Sequence, residues 1–129
     1  MSINIVGKYV SEDERYTLDI TESYPQQSRF EGTFTVKNTP KGEVVYKINN
    51  DGSAGWFYTS DQRHAGIGFM VSYCAEQTTH RDFVLFDCWA GYISSENVLF
   101  MSGSRSHTKN YGGYDLFTFG NVRFNKKKC

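Results

Sequence analysis

Three features of the sequence predict an all-β domain closed as an up-and-down barrel. Apolar side chains recur with period two in many short segments, so neighbouring residues point to opposite faces of a strand. No window of useful length carries the i, i+3, i+4 recurrence of an amphipathic helix. Turn-rich pieces ("SEDE", "ESYPQQS", "KNTPKGE", "NNDGSAG", "AEQTTHR", "SSEN" and "SRSHTKNYGG") punctuate the strands at short intervals, which favours antiparallel hairpins. Closure removes the edges that an aromatic-rich sheet would otherwise offer to other chains; a sandwich is the alternative.

The strands follow in order. "GKYVS" (7–11) opens the chain. "RYTLDI" (15–20) sets Tyr16, Leu18 and Ile20 against Arg15, Thr17 and Asp19. "RFEGTFTV" (29–36) sets Phe30, Gly32, Phe34 and Val36 against Arg29, Glu31, Thr33 and Thr35. Either "EVVYKI" (43–48) or "GWFYTS" (55–60) fills the fourth place, the other becoming loop or extra edge. "GFMVSYC" (68–74), "DFVLFDCWAGYI" (82–93) and "NVLFMSG" (97–103) continue the series. "FTFGNVRFNK" (117–126) closes it, with Thr118, Gly120, Val122 and Phe124 on one face and Phe117, Phe119, Asn121 and Arg123 on the other. Seven to nine strands result.

Composition bounds the functions. A chain of 129 residues makes a single domain (1–129) with a core of its own. Lys+Arg and Asp+Glu balance at 14 each, so no field gathers nucleic acid or an anionic membrane. The basic run Lys126–Lys128 reads as a solvated tail. "MSINIVGKYV" has neither a basic n-region nor a long apolar stretch, so neither signal peptide nor membrane segment is expected in this chain. Cys74, Cys88 and Cys129, an odd count without metal-like spacing, read as free thiols in a reducing compartment. The expected location is the cytoplasm, although a secreted protein with its signal removed reads the same way. His64, His80 and His107 fall in three expected loops without common spacing, so no metal is expected. No Ser-His-Asp order, phosphate loop or paired carboxylates stand out, so neither catalysis nor a cofactor is expected.

Alternation projects Phe30, Phe34, Val36, Phe69, Val71, Tyr73, Phe83, Leu85, Asp87, Trp89, Leu99, Met101, Val122 and Phe124 inward. An eight-stranded barrel has room for such side chains or for one small ligand. Asp87 stands out, because an inward carboxylate needs a partner or a raised pKa; Tyr16, Tyr73 and Arg105 are candidate partners. With Trp89 and Tyr73 it makes an aromatic and acidic cluster suited to a polar, cationic or sugar-like ligand. Outward, Val84, Phe86, Cys88, Ala90 and Tyr92, together with Phe117 and Phe119, are too apolar for water and predict self-association.

The order of short motifs resembles the avidin and streptavidin family. "GKYVSEDERYTLDIT" is similar to that family's opening Gly-x-Trp hairpin, and "FEGTFTV" to its Gly-Thr-Tyr strand. "GFMVSY" resembles its Gly-Trp/Phe-Thr-Val-x-Trp strand, and "CWAGYI" its Trp-Ser-Gly-Gln strand. "YDLFTFGNVRFNK" resembles its closing strand, with Tyr114, Gly120, Phe124 and Lys126 in step. The match runs in order from residue 7 to 126. It implies an eight-stranded antiparallel up-and-down barrel, avidin/streptavidin-like, holding a small ligand at one end without cofactor or catalysis, as a homodimer or homotetramer. Val84, Phe86, Phe117 and Phe119 are the expected contacts.

By the same resemblance, the family's three donors to the ureido oxygen of biotin correspond to Ser11, Tyr16 and Phe34, the last unable to donate. The family's buried Asp or Asn of the last strand becomes Val122, and its strand-three Ser or Thr becomes Val36. Tyr73 and Trp89 keep the aromatic positions of strands five and six, and Leu85 and Asp87 replace the polar pair before the second. The strand-seven Trp becomes Gly103 or a neighbour, and the Trp lent by a second subunit becomes Tyr114. Each buried hydrogen bond lost costs about 1–3 kcal/mol, so tight biotin binding is not expected. The ligand-binding set is therefore Ser11, Tyr16, Phe34, Val36, Tyr73, Leu85, Asp87, Trp89 and Val122, for a diverged small ligand. The alternative is a lectin-like or protein-interaction module that binds a glycan or another protein through loops carrying Trp56, Tyr111 and Tyr114; an enzyme with Asp87 as acid or base ranks last.

Overall fold

The computed structural model describes residues 4–39, 42–49, 53–59, 64–75, 83–94, 97–108 and 114–128, with side chains for all of these except 38–39, 73–75, 83–85, 107–108 and 114. They form β1 (Gly7–Ser11), β2 (Tyr16–Tyr24), β3 (Arg29–Thr39), β4 (Gly42–Ile48), β5 (Ala54–Thr59), β6 (His64–Ala75), β7 (Phe83–Ser94), β8 (Val98–Thr108) and β9 (Tyr114–Lys126). No α-helix occurs among the described residues, and no helix is long and apolar enough to cross a membrane. Pro25–Gln27 make one 3₁₀ turn between β2 and β3, released by Ser28 at φ 54°.

Eight strands close an antiparallel barrel in the order β1, β2, β3, β5, β6, β7, β8, β9 and back to β1, with β4 outside that ring. β4 and β5 share one edge of β3. Gly32 to Thr39 pair with β4, whereas Arg29 and Phe30 pair with Trp56 and Gly55 of β5. The fourth place therefore goes to "GWFYTS", and "EVVYKI" is the extra strand, although Val44, Tyr46 and Ile48 turn one face of it into the core.

Several strands outrun the sequence reading. β2 and β3 extend beyond "RYTLDI" and "RFEGTFTV". β8 runs on through "SRSHT", a segment whose polar composition reads as turn, and this makes Arg105 a strand residue. His64 and His107 lie in β6 and β8 rather than in loops; His80 lies outside the described residues. Trp56 is a strand residue of β5, and Tyr114 begins β9. Ladder hydrogen bonds and burial of the alternate side chains stabilise polar stretches as strand wherever a neighbouring strand is available.

The interior is filled by alternate residues of every strand, among them Leu18, Phe30, Phe34, Val36, Phe69, Val71, Trp89, Leu99, Met101 and Phe124, all buried. Outward, Phe86, Cys88, Ala90 and Tyr92 of β7 are exposed, as the alternation requires, and Cys88 is a free thiol. The last strand departs from simple alternation. Between its pairings with Met101 and Gly103, β9 advances from Val122 to Phe119, three residues against two in β8. This bulge, at Gly120 and Asn121, reverses the parity of everything before it. Phe119 consequently turns inward and stacks on Trp89, and Phe117 pairs with inward-facing Arg105. Neither belongs to the outer face assigned above. Val84 lies in β7, its side chain outside the description.

Candidate ligand-binding site

At the end of the barrel where β6, β8 and β3 finish and β7 and β9 begin, a charged pair is buried among rings. Asp87 enters from the middle of β7, where alternation within "FVLFDCW" leaves it no choice but inward, and it is 0% exposed. Arg105 enters from β8 directly opposite and is 8% exposed. Its Nε donates to Asp87 Oδ1 and its Nη2 to Oδ2, both at 2.7 Å, a two-pronged match of fork to carboxylate. Trp89 Nε1 donates to the same Oδ2 at 3.3 Å. The guanidinium lies 5.2 Å over the Phe119 ring. Burial alone would lower the pKa of Arg105. The hydrogen bonds and charge of Asp87, with smaller contributions from Tyr46 and Tyr16, outweigh it and hold the group above its usual value. Arg105 thus stays a cation, and two of its five N–H donors are spent on Asp87.

Below this pair, rings pack against one another in the buried core. Trp89 meets Tyr16 at 5.2 Å, Phe34 at 5.5 Å and Phe124 at 6.3 Å between ring centroids, and stacks on Phe119 at 4.8 Å. Phe34 meets Phe69 at 4.8 Å. The structure therefore brings Tyr16, Phe34, Asp87 and Trp89 into one cluster. Val36 is buried and Val122 half-buried beside it. Above the pair, Phe117 shares the inward face of Arg105 yet is 48% exposed. An inward aromatic left partly open to solvent is a wall that a ligand can cover.

Ser11 is spoken for locally. Its hydroxyl donates to Asp13 Oδ1 at 2.7 Å and accepts the Tyr16 N–H at 2.9 Å, closing the β1–β2 turn. The Ser11 hydrogen bond and the Arg15 N–H in turn hold the Asp13 carboxyl below its usual range. The side chains of Tyr73, Leu85 and Tyr114, and the whole of Tyr111, lie outside the described residues. Trp56 sits on the outer wall of β5, 47% exposed, and does not face the interior where this cluster lies.

Arg105, Phe117 and Phe119 were not among the expected ligand residues. Their signals were present but weak: Arg105 keeps the parity of Met101, and a bare glycine inside the last strand marks a bulge. Among the described residues, no three His, Cys, Asp or Glu side chains converge as metal ligands.

No protein-family model, curated protein or solved structure matches this chain.

Proposed function

We propose that this protein is a non-catalytic small-ligand-binding barrel of avidin-like architecture, whose ligand is received beside the Asp87–Arg105 pair and is not biotin. The single observation behind this reading is the pair itself. Replacing a buried ion pair by well-packed apolar residues is often neutral or stabilising, so core stability gives no reason to keep one. Placed just beneath a half-exposed inward aromatic, it supplies a polar floor that fixes a ligand's orientation.

The pair also revises the ligand's charge. Asp87 alone suits a cation, but with Arg105 bound in both directions its charge is already neutralised. The donors left over belong to Arg105, so the favoured partner is an acceptor: a carboxylate or carbonyl group on a body flat enough to lie against Phe117. Biotin fits poorly for a separate reason. Phe34 offers no donor, Val36 and Val122 offer no polar atom, and the Ser11 hydroxyl is engaged in its own turn.

Calorimetric and thermal-shift titrations with biotin, benzoate and benzamidine test this reading. Benzoate should raise the melting temperature in a concentration-dependent way, and benzamidine should not. Phe117→Ala should remove the benzoate response while leaving the unliganded melting temperature nearly unchanged. Nanomolar affinity for biotin would overturn the diverged pocket, and a response to benzamidine alone would overturn the assignment of the floor to Arg105.

A further inference from the structure

Trp89, Gly103 and Phe119 stand in one register row across β7, β8 and β9. The glycine at the centre of that row lets the two flanking rings meet. A Cβ at Gly103 would lie 2.9 Å from Trp89 Cδ2, closer than two carbons pack, so no side chain fits between the indole and the β8 backbone. Trp89 and Phe119 consequently stack at 4.8 Å, 11° from parallel. Arg105, two residues along β8 and on the same face, brings its guanidinium over the same Phe119 ring at 5.2 Å.

Hydrogen bonds join these groups edge to edge. The Trp89 Nε1–H points along the plane of its ring to Asp87 Oδ2, and the Nε and Nη2 fork of Arg105 meets the two carboxylate oxygens side by side. Indole, carboxylate and guanidinium therefore make one roughly flat layer, with Phe119 against one side of it. The layer ends on an open edge. A guanidinium carries its five N–H groups as two parallel pairs and a single one, and Asp87 takes only the Nε and Nη2 pair. The second pair, one hydrogen each from Nη1 and Nη2, is left over. Among the described residues no acceptor takes Nη1, and that nitrogen is not sealed from solvent.

We propose that the ligand is a planar monocarboxylate that extends this layer, gripped by the second N–H pair of Arg105, and that Phe119 selects it against tetrahedral anions. This rests on the ligand-binding reading above and narrows the ligand from any acceptor to one with two oxygens in a plane. A lone carbonyl oxygen cannot satisfy two parallel donors, whereas a carboxylate can. A sulfonate or phosphate offers the same two oxygens, but its third oxygen and its body then stand on opposite sides of the layer. One of them is turned toward Phe119. An oxygen turned that way is stripped of water against a ring face that carries partial negative charge and offers no donor. A ligand body turned that way meets the ring itself. Phe119 is half-buried, held in place by its stack on Trp89, so it does not yield freely.

Calorimetric titration of the full chain with benzoate and with benzenesulfonate tests this, because the two probes share ring and charge and differ in the third oxygen. The wild type should bind benzoate about tenfold more tightly, the scale set by one uncompensated buried polar group. Phe119→Ser replaces the ring face by a hydroxyl and room for water. It should strengthen benzenesulfonate binding and bring the two affinities within about threefold. Should that variant fail to fold, the wild-type ratio still decides. Equal binding of the two anions by the wild type overturns the selection and leaves the ligand reading standing. A ratio that Phe119→Ser does not change removes Phe119 from it. Binding of neither anion overturns the ligand reading and the planar carboxylate with it.

Discussion

Asp87 keeps a charge inside the barrel because Arg105 meets both of its oxygens and Trp89 donates to one of them. Removing either partner leaves the other buried and uncompensated. Arg105→Met is therefore expected to lower the free energy of unfolding by about 3–5 kcal/mol, and the double variant Asp87→Leu with Arg105→Met to recover most of that loss. Urea unfolding of the three proteins checks this; equal losses in the single and double variants would mean the pair is not coupled. Tyr9 makes a second test. Its hydroxyl is buried and donates to the Ile5 carbonyl at 2.8 Å, and burial pushes its pKa from 10.0 up to about 12. The fold holds the neutral phenol, so stability is complete below pH 10 and falls as pH rises toward 12. The loss amounts to about 2–3 kcal/mol. Denaturation between pH 9 and 11.5 should show that decline, and Tyr9→Phe should reduce its slope.

Strand β9 carries the consequence of one extra residue. Before the bulge, Phe117 and Phe119 line the interior; after it, Val122 and Phe124 do. A regular strand of the same composition would place one of these pairs in water. Deleting Gly120 leaves Val122 and Phe119 two positions apart, the spacing of a regular strand, so both should stay inward and the Phe119–Trp89 stack, at 4.8 Å, should survive. An unchanged tryptophan emission maximum would register that, and a red shift would contradict it. Glycines along β6 and β7 separate two causes of the same residue choice. At Gly91 a Cβ would lie 1.8 Å from the Phe100 carbonyl oxygen, so the backbones of β7 and β8 approach too closely for any side chain. Gly91→Ala should cost about 2 kcal/mol or more, through strain of the kind that overpacked sites show. Gly66→Ala should leave stability unchanged or slightly higher. Thermal unfolding of the two variants distinguishes them.

Around the ring, closure is uneven. β7 pairs with β6 over Phe83–Ser94 and with β8 over Leu85–Ile93, whereas β5 joins β3 through two residue pairs and a hydrogen bond from the Phe57 N–H to the Ser28 carbonyl. β4 takes the rest of that edge and lies against β6 without a ladder to it. The barrel should therefore open first at this seam. Amide hydrogen exchange is expected to be fastest in β4 and β5 and slowest in β7, with opening energies below the global value at the seam. Uniform protection around the ring would contradict it. Trp89, at the centre of the aromatic stack, belongs to the slow side; Trp89→Ala should cost about 3–5 kcal/mol.

The barrel could be read from residues because its signal is local. Alternation in "RFEGTFTV" and "FVLFDCW" already separated Phe34, Asp87 and Trp89 from their outward neighbours, and the absence of helical period excluded most other folds. The inward Asp87 likewise announced a buried charge before any partner was known. Its partner was one of three candidates until Arg105 of β8 paired with it, since pairing between strands depends on register. The inward turn of Phe119 depended on a bulge that shifts parity by one residue, and parity arguments cannot see their own interruption. The split of the β3 edge between β4 and β5, and the meeting of Trp56 with Gly68, were likewise fixed across strands. Side-chain alternation is a property of one strand, written in its residues; what each side chain meets is a property of two, and exists only once the barrel has closed.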